Sequence, residues 1–196
     1  KMTPWTEIAS VVALGIGANT ENLPVGLAYG LRRRRIGLAR NLFIAAATTA
    51  ATLVPLTIGQ GLHGYIPAGA SDAIAGLLLA GLGLYNVWAE RRGPRKRVET
   101  PVTAEGTAAP IGLRETLALA GALSINNIGL GFAGGVAGLG QAPVGLSVAG
   151  FSIVLLWLGE WLSRRIASGL ANTSRRLQLD GNFLLVAVGG LMILGL

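Results

Sequence analysis

The chain carries a polar stretch, Asn19-Thr20-Glu21-Asn22-Leu23-Pro24-Val25-Gly26, in the middle of an otherwise apolar segment. A second stretch, Ser124-Ile125-Asn126-Asn127-Ile128-Gly129-Leu130-Gly131, interrupts another apolar segment 105 residues later. At this shift Asn22 aligns with Asn127, and Gly26 aligns with Gly131. The correspondence predicts that the two halves of the chain repeat one structural unit.

The composition is that of an integral membrane protein. Hydrophobic residues make up 52% of the 196 residues and charged residues 13%, whereas a soluble domain carries about 25% charge. This balance excludes a disordered chain, a nucleic-acid-binding domain and an ordinary cytosolic enzyme. The chain has no cysteine and one histidine, which also excludes a thiolate or histidine-rich metal site.

Six segments are apolar and long enough, or nearly so, to cross a membrane as helices of about 20 residues. They are residues 5–31, 36–62, 66–89, 113–139, 143–162 and 182–196. We therefore predict an all-α integral membrane protein with six transmembrane helices. Residues 1–89 form a first three-helix repeat, residues 90–112 a polar cytoplasmic linker, and residues 113–196 a second repeat. Because each repeat has an odd number of spans, the second enters the membrane inverted, as in many secondary transporters.

Basic residues set the predicted orientation. Arginines and lysines follow the first, third and fifth spans, whereas the connections around residues 63–65 and 140–142 hold none. The positive-inside rule makes the basic side cytoplasmic, so both termini lie outside, in the periplasm of a bacterial inner membrane. The same bias explains the net charge of +7. Membrane lipid is therefore an expected partner and nucleic acid is not.

Glu21 is the most informative polar residue in the predicted spans. A carboxylate in the middle of a membrane helix costs several kcal/mol unless it is paired, hydrated or bound to a cation. Pro24 lacks an N–H and frees a carbonyl near Thr20, which predicts a break in the first span. In an inverted repeat the two polar stretches meet in one oxygen-lined site that suits a hard divalent cation such as Mn²⁺, Mg²⁺ or Ca²⁺. The predicted ligands are Glu21, Asn22, Asn126, Asn127, Asn19 and Ser124.

Packing is the competing interpretation, because amides often form hydrogen bonds between membrane helices. For the asparagines alone, helix packing and a role in the site are equally good interpretations. For Glu21 a functional role is favoured. Glu160 is interpreted as an interfacial partner of Arg164 or as part of a cytoplasmic gate. Asp72 is interpreted as a helix cap or an entrance residue. Whether Glu160 or Asp72 joins the site is left open, and His63 is expected to be solvated in an outer loop.

Hydroxyl residues and glycines within the spans are interpreted mainly as packing residues. Thr48, Thr49 and Thr52 are expected to bond to their own helix rather than to line a pore. Glycines spaced four apart are typical of closely packed membrane helices. These glycines are Gly26, Gly30, Gly131 and Gly135.

The two polar stretches resemble a motif of the manganese efflux pump (MntP-like) family of the lysine-exporter superfamily, and of related sporulation-type membrane proteins. In these families the first and fourth spans carry Ser-x-Asp-[Ala/Asn]-[Phe/Leu]-x-Val-Gly. This chain has Glu21 and Asn126 where the family has aspartate. The resemblance implies a Mn²⁺ exporter without a resident cofactor. The two replacements leave one carboxylate at positions where the family offers two.

The leading hypothesis is export of a divalent metal cation, Mn²⁺ foremost, by alternating access around the midplane site. The alternatives are an exporter of a small organic cation or amino acid, and a membrane assembly protein that transports nothing. The sequence holds no metalloprotease histidine pair and no Ser–His arrangement, so an enzyme is not expected. The coupling ion and the oligomeric state stay open, and a homodimer is compatible with the sequence.

Overall fold

The computed structural model describes residues 4–31, 34–91 and 110–165. These residues form helices α1 (Pro4–Asn19), α2 (Asn22–Leu31), α3 (Leu38–His63), α4 (Ala68–Arg91), α5 (Leu113–Val136) and α6 (Gln141–Arg165). Within this part of the chain the only β-type pairing is an isolated bridge between Arg35 and Pro110. The prediction of an all-α fold is therefore confirmed for the described residues. The predicted sixth span, residues 182–196, lies outside them.

Three of the helices are long and apolar enough to cross a membrane: Leu38–His63, Leu113–Val136 and Gln141–Arg164. They correspond to the predicted second, fourth and fifth spans, so the chain is a membrane protein. The predicted third span corresponds to α4, and the predicted first span is divided between α1 and α2. The arrangement of six spans as two inverted repeats stays a prediction at this point.

The predicted break in the first span is confirmed, because α1 ends at Asn19 and α2 begins at Asn22. Side chains at the break form hydrogen bonds with carbonyls in the last turns of α1. The Asn19 Nδ2 donates to the Gly15 carbonyl at 2.8 Å, and the Thr20 hydroxyl donates to the Gly17 carbonyl at 2.8 Å. These bonds let Glu21 occupy a turn between two helices rather than a position within one.

The fourth span shows no matching break. Gly129 and Gly131 do not interrupt the helix, because α5 is continuous from Leu113 to Val136. The difference has a local cause, since the second stretch has Gly129 where the first has Pro24. A glycine only weakens a helix, whereas a proline removes one of its hydrogen bonds.

Contacts between residues of different helices give the relative helix directions. Helices α3 and α5 are parallel, since Gly131 lies against Thr52 and, one turn later, Gly135 lies against Leu56. At each of these glycines an added Cβ would overlap a backbone carbonyl oxygen of α3. The two backbones therefore touch, which only glycine permits.

Helices α2 and α6 pack in the same way. Gly26 lies against the Leu156 carbonyl, and Gly30, one turn later, lies against Ser163 and the Glu160 carbonyl. These two helices are therefore also parallel. The interpretation of the glycines as residues of close helix packing is confirmed for both helix pairs.

The two helix pairs run in opposite directions. Leu53 of α3 lies against Gly145 of α6, and Thr48 of α3 lies against Ser152 of α6. The residue numbers therefore decrease along α3 while they increase along α6. Helix α3 is thus antiparallel to α6, and so α5 is antiparallel to α2. Helix α5, which carries the second polar stretch, therefore runs opposite to α2, which follows the turn of the first polar stretch.

Replacing Gly131 by alanine is expected to destabilise the protein by about 1–3 kcal/mol, because the new methyl group forces the α3 and α5 backbones apart. Thermal unfolding of the purified protein in detergent measures the change. Gly121 is the matched control, since it lies in the same helix and nothing within 4 Å would meet its Cβ. Gly121→Ala is expected to leave the melting temperature unchanged or to raise it. Equal melting temperatures for the two variants would contradict the close approach of α3 and α5.

Candidate functional site

A band of buried polar side chains crosses the protein between two apolar clusters. One cluster contains Leu14, Leu56, Leu130 and Val148, and the other contains Tyr29, Ile44, Leu123 and Leu156. Along each of the polypeptide segments concerned, the polar residues fall between a member of the first cluster and a member of the second. These polar residues are Asn19, Asn22, Thr48, Thr52, Asn127 and Ser152, and each of them is at most 1% exposed. So much buried polarity at one level makes this band the candidate site.

Glu21 and Asn126 meet directly at this level. The Asn126 Nδ2 donates to the Glu21 Oε1 at 2.6 Å, and both side chains are half-buried. The contact joins the turn between α1 and α2 to the middle of α5. The two predicted polar stretches are thus brought together by their most distinctive residues.

Asn19 and Asn22 connect the broken first span to α6. The Asn22 Nδ2 donates to the Ser152 hydroxyl at 2.9 Å, and it lies 3.1 Å from the Asn19 Oδ1. The Asn19 Nδ2 in turn donates to the Val148 carbonyl at 3.0 Å. These amides hold the turn that carries Glu21 against α6.

Asn127 makes the corresponding connection between α5 and α3. Its Nδ2 donates to the Thr48 carbonyl at 3.2 Å, just as the Asn22 Nδ2 approaches the Ser152 carbonyl at 3.3 Å. The Asn127 Oδ1 is buried and has no hydrogen-bond partner in the described part of the chain. A buried carbonyl oxygen without a partner costs about 1–3 kcal/mol, and it is chemically suited to accept a hydrogen bond or to coordinate a cation.

Ser152 and Thr48 join the two sets of amides. The Thr48 hydroxyl lies 3.4 Å from the Ser152 hydroxyl, and it also donates to the Ala45 carbonyl at 3.1 Å. Ser152 is not among the ligands that the sequence predicts. A signal was present, because Ser152 and Thr48 are 104 residues apart, close to the shift that relates the polar stretches. The expected backbone bonding of the threonines is confirmed for Thr48 and for Thr52, whose hydroxyl donates to the Thr48 carbonyl at 2.9 Å. It is wrong for Thr49, whose hydroxyl is buried and has no hydrogen-bond partner among the described residues.

Ser124 is the predicted ligand whose hydroxyl forms its hydrogen bond within its own helix and not with another part of the site. Its hydroxyl donates to the Ala120 carbonyl of its own helix at 2.7 Å. The structure therefore brings Glu21 together with Asn126, and it brings Asn19 together with Asn22. Asn127 reaches the second of these pairs through Thr48 and Ser152.

Two ion pairs lie away from this polar band. Arg34, just after α2, pairs with Glu115 of α5 at 3.0 Å. Glu160 pairs with Arg164 one turn later on α6, which confirms the predicted ion pair. The side chain of Asp72 lies outside the described residues. Within the described residues no group of three or more His, Cys, Asp or Glu side chains could hold a metal ion, so a cation at Glu21 would need amide, hydroxyl or backbone oxygens as further ligands.

The expectation that His63 is solvated is wrong. Its Nδ1 lies 2.8 Å from the Ser71 hydroxyl and 2.8 Å from the Val136 carbonyl, and its ring is half-buried. The physical reason is that α3 continues to His63. The imidazole is therefore inserted between the first turns of α4 and the last turn of α5.

Comparison with known proteins identifies the family. The sequence model of a family described as "Putative manganese efflux pump" matches residues 31–194, which is most of the chain. The chain belongs to this family. It is therefore a member of a family of efflux transporters and is not an enzyme. The match includes Asn126 and Asn127 and begins after Glu21.

A curated relative is similar over a shorter region. The chain is 28% identical over 79 residues to the "Probable sporulation protein YtaF" of Bacillus subtilis (strain 168). The matched region covers 40% of this chain and 38% of the relative. No solved structure matches the chain significantly.

Proposed function

We propose that the protein exports a divalent metal cation, with Mn²⁺ as the leading candidate, by alternating access around Glu21, Asn126 and Asn127. The hydrogen bond between Asn126 and Glu21 is the observation that carries the proposal. It places the carboxylate of one half of the chain against the amide of the other, at the level of the buried polar band. Membership of the manganese efflux pump family supports a metal cation as the cargo.

The bond between Glu21 and Asn126 suggests how the site changes between its empty and loaded forms. The Asn126 amide N–H supplies positive charge density to the Glu21 Oε1, in the place where a cation would bind the carboxylate. Rotation of the amide by half a turn exchanges this N–H for the Oδ1, which is an oxygen ligand. The Asn127 Oδ1, which has no hydrogen-bond partner in the part of the chain that the structure describes, is a second neutral oxygen on the same helix. A carboxylate with amide oxygens is a ligand set that Mn²⁺ accepts.

The architecture proposed for this transport is a pair of inverted three-helix repeats, residues 1–89 and 113–196, joined by the linker 90–112. Equivalent contacts support it. Gly26 lies against Leu156 as Gly131 lies against Thr52, and the Asn22 amide approaches Ser152 as the Asn127 amide approaches Thr48. The opposite directions of α2 and α5 are those that an inverted repeat requires.

The orientation follows from charge. The arginines after the first, third and fifth spans favour a cytoplasmic position for these connections, with both termini outside the bacterial inner membrane. Export then moves the cation from the side of Arg34 to the side of His63. Membrane lipid is the surrounding partner in this arrangement.

Cation flux into inside-out proteoliposomes tests the proposal. We expect uptake of Mn²⁺ above that of protein-free liposomes, and less uptake of Mg²⁺ and Ca²⁺ supplied at the same concentration. Competition by small organic cations and amino acids runs in parallel. Transport of one of these compounds without any divalent flux would replace the metal-export proposal with its nearest alternative.

A second candidate function is membrane assembly without transport. The name of the Bacillus subtilis relative, a sporulation protein, favours it. Under this alternative the polar band only sets helix packing, and exchanging Glu21 for a residue of similar size would change stability rather than activity. Absence of flux for every solute tested, with a correctly folded protein, would support it.

A further inference from the structure

The helices make two different kinds of contact. In the pairs α2–α6 and α3–α5 the backbones themselves touch, through Gly26 and Gly131 respectively. Each pair combines a helix from the first half of the chain with a helix from the second half. Backbone contact of this kind leaves no side chain that could change rotamer, so the two helices of a pair are held rigidly.

Hydrogen bonds from side chains to backbone carbonyls extend each pair into a larger body. The Ser147 hydroxyl donates to the Val11 carbonyl at 3.0 Å, and the Asn19 Nδ2 donates to the Val148 carbonyl, which attaches α1 to α6. The Ser71 hydroxyl donates to the Val136 carbonyl, which attaches α4 to α5. We call these sets the α1–α2–α6 body and the α3–α4–α5 body.

Contacts between the two bodies are made largely by side chains with other side chains. Glu21 meets Asn126, and Thr48 meets Ser152 with 3.4 Å between the hydroxyl oxygens. Near one end of the interface the Gln141 Nε2 lies 3.3 Å from the Thr57 hydroxyl. Such contacts can be exchanged by rotamer changes, which makes this interface easier to rearrange than the backbone contacts of α2 with α6 and of α3 with α5.

One stronger contact crosses the interface on the side of the arginines. The Asn41 Nδ2 of α3 donates to the Ile153 carbonyl of α6 at 3.0 Å. On the same side, Arg34 and Glu115 form an ion pair in which the Arg34 Nε and the Glu115 Oε1 are buried and have no further hydrogen-bond partner within residues 4–31, 34–91 and 110–165. The desolvation penalty of a buried ion pair is comparable to its Coulomb attraction. If the interface opens to water on this side, hydration of both side chains therefore offsets much of the attraction that is lost.

We propose that the α1–α2–α6 body and the α3–α4–α5 body are the units that move against each other during transport. The two halves of the chain, residues 1–89 and 113–196, are not the moving units, because each body contains helices from both. The interface between the bodies contains Glu21 and Asn126, so its opening on either side exposes the cation site to that side. This inference rests on the proposed transport function.

Pairs of engineered cysteines test the inference, since the chain has no cysteine of its own. The pair Thr57→Cys with Gln141→Cys bridges the two bodies. The matched pair Val11→Cys with Ser147→Cys lies within one body and uses the same helix α6. Both pairs also connect the first half of the chain to the second. A short bis-methanethiosulfonate reagent bridges each pair, mass spectrometry measures the bridged fraction, and Mn²⁺ flux is recorded before bridging and after reduction.

We expect the bridge between bodies to lower Mn²⁺ flux about tenfold or more and the bridge within one body to change it less than about twofold, since only the first blocks the conformational step. Reduction should restore the lost flux. Loss of flux with both bridges would show that the chain halves move instead. Unchanged flux with both bridges would also overturn the division into these two bodies. Loss of flux only with the bridge within one body would overturn it too. Absence of flux before bridging would count against the transport function itself. Ser71→Cys with Val136→Cys supplies a second pair within a body if the Val11 variant misfolds.

Discussion

Glu21→Gln is expected to reduce Mn²⁺ flux in proteoliposomes by about 100-fold or more, because without the carboxylate a divalent cation at this half-buried position has no charge to compensate it. Glutamine keeps the size of the side chain and an oxygen ligand, but it removes the negative charge that compensates the cation. The hydrogen bond from Asn126 can still form with the glutamine oxygen. Packing at the turn between α1 and α2 is therefore preserved, and the loss reports on charge.

Glu7→Gln is the matched control for this prediction. Glu7 is a carboxylate on α1 as well, but it lies in the first turn of the helix and is exposed. Its substitution is expected to leave the Mn²⁺ flux unchanged. Melting temperatures of both variants, measured in detergent, separate a loss of function from a loss of fold. Wild-type flux in a folded Glu21→Gln protein would remove Glu21 from the site and, with it, the basis of the proposed mechanism.

The sequence was sufficient to predict the features that depend on local chemistry. Pro24 and the polar residues before it predict the end of α1 at Asn19, because a missing N–H and competing side chains destabilise a helix wherever they occur. The 105-residue shift predicts the meeting of Glu21 and Asn126, since both are placed by the same internal correspondence. The end of α1 is independent of how the helices rotate against one another, whereas the contact of Glu21 with Asn126 also requires the two side chains to face each other.

Features that depend on helix rotation could not be read from the sequence. The spans are apolar on every side, so no amphipathic stripe marks the face that turns toward a neighbouring helix. For this reason the sequence does not single out Ser152, which bonds to Asn22. It also predicts a shared site for Ser124, whose hydroxyl instead bonds to its own helix. His63 was misplaced for a different reason, because the end of α3 decides whether its ring faces solvent or α5.

Asn126→Asp is expected to tighten Mn²⁺ binding about tenfold or more, because a second carboxylate beside Glu21 compensates the second charge of the cation. The two carboxylates repel each other when no cation is present, so the variant should melt at a lower temperature without Mn²⁺ and gain more stability from it than the wild type does. Calorimetric titration and melting curves with and without Mn²⁺ measure both effects. Asn126→Gln is the neutral control, since it lengthens the amide side chain without adding charge.

Flux through the Asn126→Asp variant carries a further consequence. A tenfold gain in affinity slows release of the cation unless the opening of the outer side relieves the extra attraction, so transport at saturating Mn²⁺ is expected to fall while binding improves. A higher Mn²⁺ affinity together with a lower flux identifies a residue of the transport site. Substitution of a residue that only packs helices would lower both the affinity and the flux. If Asn126→Asp and Asn126→Gln bind Mn²⁺ equally, then the amide of Asn126 lies beside Glu21 without sharing its cation, and the hydrogen bond between them is a structural contact alone.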